Sequence, residues 1–257
     1  MSVKISLPSR PTDPVGSTIG RRLRRLLLRA FPWCAEREEA PARLALIAVG
    51  FLPVTLIAAA AFGVAGLREL AGYLLVPALA LTGGVLIWRP RWASTALRAL
   101  GAGLLATALY DAYRGSFLAL GLMQVDPIPH IGVALHLDPA WVFGYLWRYL
   151  GNGGGMAVAF FALGFRGMRI GIGYGLFVCS GLLFVLVAAP YGQEMLFPLN
   201  ATTVVMAVGG HVLYGAALGW IAARRAEASR PVRTCAAQTS ASPVSVGHLQ
   251  DEPVRGP

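Results

Sequence analysis

The chain has almost no lysine: Lys4 is the only one, and arginine carries the rest of its positive charge. It is also short of charge altogether, with Asp, Glu, Lys and Arg making up 13% of the residues, against about a quarter in an ordinary soluble domain. So thin a charged surface cannot keep 257 residues in water as a globule, which excludes a large soluble domain. The three cysteines, Cys34, Cys179 and Cys235, form no CxxC pair and no metal-ligand spacing, which excludes a disulfide framework. A Walker sequence, a dinucleotide fingerprint and a zinc-protease motif are all missing. His130 and His136 lie in a loop with Asp126 and Asp138 but match no metal spacing, and His211 is the only histidine inside an apolar run, so two axial imidazoles from two runs are not available. No cofactor, no metal and no enzymatic activity are therefore expected.

What the chain has instead is hydrocarbon. Hydrophobic residues make up 56% of it, and its mean hydropathy is +0.62. The apolar residues gather into six runs, at about 44–66, 70–88, 94–122, 141–164, 170–189 and 200–223. Each run reaches the ~20 residues that a helix needs to cross a ~30 Å hydrocarbon layer, and the third, longer than that, should tilt or project. The fold class that follows is all-α: a polytopic integral membrane protein with six transmembrane helices and both ends inside. Its parts are a basic tail over 1–42, a six-helix domain over 43–223 and a disordered Ser-, Pro- and Ala-rich tail over 224–257.

The orientation rests on where the positive residues fall. Both tails, the turn 89–98 and the turn 166–169 are basic, whereas the other loops contain only Arg68. Short loops rich in arginine stay in the cytoplasm, so the alternation fixes both termini there. Heavy use of Arg, Ala, Gly and Pro suggests a GC-rich bacterial genome and hence the cytoplasmic membrane of a bacterium. A net charge of +10 and a pI of about 10.3 would suggest nucleic acid in a soluble domain. Here the positive residues crowd the ends of runs and the tails, so the lipid bilayer is the expected partner and nucleic acid is not. In the N-terminal tail, Arg21, Arg22, Arg24 and Arg25 alternate with Leu23 and Leu26–Leu28. That pattern fits an interfacial helix against anionic lipid headgroups, and equally a plain orientation signal.

Ionisable residues inside such runs are costly, by roughly 2.5–3.5 kcal/mol each on insertion scales, and are kept where they pair or line water. Asp111 and Arg114, three apart in the third run, can pair on one helix face. Arg148 in the fourth run needs another acceptor or a cavity. One turn further on, Gly151, Asn152, Gly153, Gly154 and Gly155 offer either a helix break exposing backbone to a ligand or close packing through small residues. His211 sits midway along the sixth run, and Glu194 lies in the outer loop before it. The candidate site is therefore Asp111, Arg114, Arg148, Asn152, His211 and Glu194, converging on one pocket in the outer half. The function expected is binding or transport of a small polar or anionic solute or a proton. The alternative is a non-catalytic structural or assembly component of the membrane.

A further pattern has chemistry of its own. Cys179-Ser180-Gly181 in the fifth run and His211, followed by Gly215 and Gly219, in the sixth resemble the Ser-His dyad of rhomboid intramembrane proteases, which also have six spans. That resemblance would make Ser180 a nucleophile and His211 its base. The chain departs from it at Val178, where the nucleophile motif has glycine, and in the spacing of the glycines after His211.

Overall fold

In the computed structural model, residues 39–228 are described, and all their regular structure is helical. The tail residues Arg21, Arg22, Arg24 and Arg25, with their expected interfacial helix and headgroup contacts, lie outside the described residues, as do residues 229–257. The helices are α1 (Ala40–Ala61), α2 (Leu67–Trp88), α3 (Pro90–Ala119), the short α4 (Ile128–Ala134), α5 (residues 140–162), α6 (Met168–Ala188), the single turn α7 (Gly192–Met195) and α8 (Ala201–Ala228). Four of them, α1, α2, α6 and α8, are long and apolar enough to cross a membrane. Of the other two long segments, α3 carries Arg98, Asp111 and Arg114, and α5 widens into π-helical turns over Trp147–Gly155.

Several boundaries differ from the sequence reading, for local reasons. Leu67, Arg68 and Glu69 are not a hairpin link but the first turn of α2. The connection lies earlier, where Gly63 takes a φ of +76° and closes α1. Glycine reaches this left-handed region without a Cβ clash, so it ends helices cheaply. Pro90 starts α3 instead of sitting in a turn, because a proline in the first helical turn loses no hydrogen bond. The loop 123–139 contains α4, and α8 continues through Arg224 and Arg225 to Ala228, so the helix runs into the segment read as a disordered tail. At the start of α8, Asn200 and Thr203 exchange side-chain-to-backbone hydrogen bonds of 3.0 Å in both directions, a reciprocal cap.

The glycine run in α5 does not break the helix; it lets neighbours approach. A Cβ on Gly155 would strike the Gly50 carbonyl of α1, and one on Gly153 would strike Thr107 of α3. Pro53, inside α1, sits over Gly151. α5 is thus wedged between α1 and α3 by backbone contact. On its far side, Tyr214 of α8 donates to the Gly153 carbonyl at 2.6 Å, and Tyr174 of α6 donates to the Met156 carbonyl at 2.7 Å. The main core gathers around Phe160, which has no exposed surface and meets Phe161, Phe165 and Tyr174 at ring-centroid distances of 5.1–5.7 Å. α2 lies apart at the rim, with Tyr73, Leu81, Ile87 and Trp88 more than 70% exposed.

Candidate functional site

The centre of the site is one carboxylate oxygen. Asp111 Oδ1 accepts from Arg114 Nε at 3.3 Å and from Arg148 Nε and Nη2 at 3.2 and 3.0 Å. The first pairing lies within α3 at the i,i+3 spacing. The second ties α3 to α5, so Asp111 is the acceptor that Arg148 needs. The three side chains are 9%, 5% and 14% exposed respectively. Among the described residues Asp111 Oδ2 is buried without a hydrogen bond, with the Tyr149 phenol beside it.

Arg114 is fully committed. Besides Asp111, its Nη1 donates to Asp126 and its Nη2 to the Tyr145 hydroxyl at 3.3 Å, while Tyr145 donates to Asp126 Oδ2 at 2.6 Å. Asp126 also accepts the Ile128 backbone N–H at 3.0 Å. Burial works against ionisation of Asp126, but the Tyr145 hydroxyl, the Ile128 N–H and the Arg114 guanidinium outweigh it and hold the carboxyl below its usual range. Two arginines and two aspartates therefore balance, so no buried charge of the cluster is left uncompensated, the case that costs most.

Tyr145 and Tyr110 were not among the candidate site residues read from sequence, and Asp126 was noted there only as a possible metal-ligand type in the loop. Asp126 is reached because α4 folds back against the start of α5. There Gly132 meets the backbone of Ala140, and Gly144 meets that of Ile128, with no room for a Cβ at either. A signal did exist. Asp126 is followed by Pro127, Ile128 and Pro129, an acidic residue just ahead of a first-turn proline, which marks a helix start.

Arg148 differs from Arg114. It lies over the Tyr110 ring at 4.3 Å, a cation–π contact, and its Nη1 has no hydrogen-bond partner among the described residues. It faces a cavity of about 370 Å³ that Arg114, Asn152, Tyr110 and His211 also line. Among the described residues the Asn152 side chain makes no hydrogen bond, and its Oδ1 is buried. His211 Nδ1 lies 2.7 Å from the Ala207 carbonyl and must be the protonated nitrogen, which leaves Nε2 as an acceptor. The Tyr110 ring meets the imidazole edge-on at 5.1 Å. The structure thus brings Asp111, Arg114, Arg148, Asn152 and His211 together. Glu194 lines a second cavity with Gln193, His130 and Asn200 instead, and so stands outside the shared pocket expected of it. The two cavities adjoin through Leu196 and Phe197.

No known family, curated protein or solved structure matches the chain. The rhomboid resemblance gains no geometric support. Ser180 also lines the first cavity, but its hydroxyl donates to the Phe177 carbonyl of its own helix at 2.7 Å, and no hydrogen bond joins it to His211. Among the described residues, no group of three or more His, Cys, Asp or Glu could hold a metal ion.

The site offers donors at Arg148 Nη1 and Asn152 Nδ2, and acceptors at His211 Nε2 and Asn152 Oδ1. Apolar side chains surround them. Unpaired polar atoms at such a place cost about 1–3 kcal/mol each unless something binds them. A ligand group that both accepts and donates hydrogen bonds fits that set.

Proposed function

We propose that this chain is a six-span protein of a bacterial cytoplasmic membrane, with both ends in the cytoplasm, that binds and transports a small polar or anionic solute at the Arg148 cavity. α3 and α5 are the two further spans, their charges being matched within the protein and not offered to lipid. The observation that carries the reading is the free Nη1 of Arg148, facing a cavity together with the unpartnered amide of Asn152 and the open nitrogen of His211. In this reading Asp111 holds Arg148 in place, Arg148 counters the charge of the solute, and Asn152 and His211 orient it. A purely structural clasp accounts for Arg114, all three of whose nitrogens are occupied by protein. It accounts for the Nε and Nη2 of Arg148, which bond Asp111, but not for its Nη1.

The test is thermal unfolding of purified protein against a series of water-soluble anions, beginning with inorganic phosphate, acetate and glycerol phosphate. A ligand at 100 times its Kd stabilises by about 2.7 kcal/mol. Arg148→Gln should remove the stabilisation while the protein still unfolds cooperatively. If wild type and variant respond alike to every anion, Arg148 is not a binding residue. Labelling of single cysteines placed near 90 and near 130 from opposite sides of the membrane checks the spans.

A further inference from the structure

The cavity has a side opening that its polar end does not explain. Helices α1 and α6 touch at two levels. One contact is Phe51 against Tyr174, with ring centroids 6.0 Å apart; the other is Phe62 against Phe184, at 6.1 Å. Beside the second, Tyr191 N–H donates to the Ala61 carbonyl at 3.0 Å. Between these levels the two backbones hardly approach each other. The ten residues from Tyr174 to Phe184 correspond to about 15 Å of helix axis. Within that interval Thr55 from α1 and Phe177, Ser180 and Gly181 from α6 all line the cavity and are all exposed. Phe177 is 66% exposed. The cavity therefore has a window in the flank of the bundle, midway along two helices that are apolar over membrane-spanning length.

A window at that level faces acyl chains. The walls behind it, Val54 and Ile57 of α1 with Val178, Leu182 and Val185 of α6, are apolar, as are Met156 and Met206 deeper in. A hydrated ion would have to shed water against those side chains without compensation. A hydrocarbon chain would pass from one apolar surroundings to another. We infer that the solute of the Arg148 site is an amphiphile of the bilayer, which enters sideways between α1 and α6 with its polar head on Arg148, Asn152 and His211 and its acyl chain lying in the window. This rests on the binding role of Arg148 proposed above. The head must accept from Arg148 and Asn152 and donate to His211 Nε2, so it carries an anionic or carbonyl oxygen beside a hydroxyl. A phosphoglycerol head satisfies both.

Two substitutions close the window without touching the charges. A Cβ on Gly181 meets nothing within 4 Å, so Gly181→Trp places its ring in open space, and helix propensity favours the change. Thr55→Trp does the same from α1. Full-length protein in phosphatidylcholine nanodiscs is doped with lysophosphatidylglycerol carrying a photoreactive diazirine in its acyl chain, and the labelled residues are mapped. Glycerol phosphate without an acyl chain is tested in parallel by thermal shift.

Labelling should concentrate on Val54–Ala58 and Phe177–Leu182. It should fall by about tenfold, a 1.4 kcal/mol effect, in Gly181→Trp, Thr55→Trp and Arg148→Gln, each with a cooperative melt. The exposed face of α2 at Tyr73, Leu81 and Ile87 reports bulk lipid and should not change. Labelling at the window as weak as on α2, or unaltered by both tryptophans, overturns the inference. If that happens while glycerol phosphate still stabilises in an Arg148-dependent way, only the lateral entry is lost. If neither probe responds to Arg148→Gln, the binding role fails with it.

Discussion

Two of the seams in this bundle are built in opposite ways. Between α6 and α8, Gly171 and Gly175 face Gly215, Gly219 and the His211 carbonyl so closely that a Cβ at any of the four glycines would meet the other helix's backbone. Gly167 N–H even donates across to the Gly219 carbonyl at 3.2 Å. Between α3 and α5, at the level of Asp111, the link is instead a carboxylate shared by two guanidinium groups. Where lipid is the solvent, apolar surface gains little by leaving it, so helices associate through close backbone packing and through polar bonds. The first seam takes the former route and leaves no space. The second takes the latter, and long side chains that need two or three partners each leave a space beside them with donors still facing it. A closed seam and a site differ here by the length of the side chains that make them.

Asp111→Ala should test that contrast hardest. It leaves Arg148 with no acceptor and strips one from Arg114, a loss of about 3–5 kcal/mol for a broken buried pair, read as a fall in unfolding temperature or in monodisperse yield. Gly215→Leu should come next, at about 3 kcal/mol, because its side chain must push into the Gly171 carbonyl and overpacking has nowhere to relax. Here stability should drop while any anion response of the surviving fold persists. Were Gly215→Leu harmless, the seam would not be as tight as its geometry says.

Arg148→Gln should cost less, about 1.5–2 kcal/mol for lost hydrogen bonds to a charged group, because Asp111 keeps Arg114 at 3.3 Å. A loss as large as that of Asp111→Ala would make Arg148 a structural clasp after all.

The smallest effect concerns Asp126, whose carboxyl is held below its usual range. A carboxylate with a lowered folded pKa contributes stability that is complete above its unfolded value of about 4 and is lost as pH falls through the folded one. Wild type should therefore be more stable than Asp126→Asn at pH 7, and the difference should close as pH is lowered below about 4. A difference that does not change with pH would mean that the Asp126 hydrogen bonds persist without its charge.

How much of this was legible in the chain varies with the range of the interaction. The pairing of Asp111 with Arg114 follows from one helical turn, and α8 as far as Ala223 from a single apolar run, though not its extension to Ala228. Hydropathy places helices at all six runs, because backbone groups among apolar side chains must bond within their own helix. Boundaries shifted where glycine and proline acted at short range, as at Gly63 and Pro90. The role of the glycine run 151–155 could not be read, because its composition suits a break and a tight packing equally, and only the arrival of Gly50, Pro53 and Thr107 decided for packing.

The sequence by itself determined that the chain is helical, apolar over membrane-spanning lengths, and forced to pair the few charges it places inside those lengths. Only the tertiary structure decided which charges meet. Asp126 reaches Arg114 because α4 folds back on two glycines, Glu194 turns into a neighbouring cavity, and α1 stands off from α6 between two aromatic contacts. The reason is physical: periodicity and hydropathy act along one helix, whereas the position of a charge relative to its partner depends on how closely two backbones pack, and no residue encodes that alone.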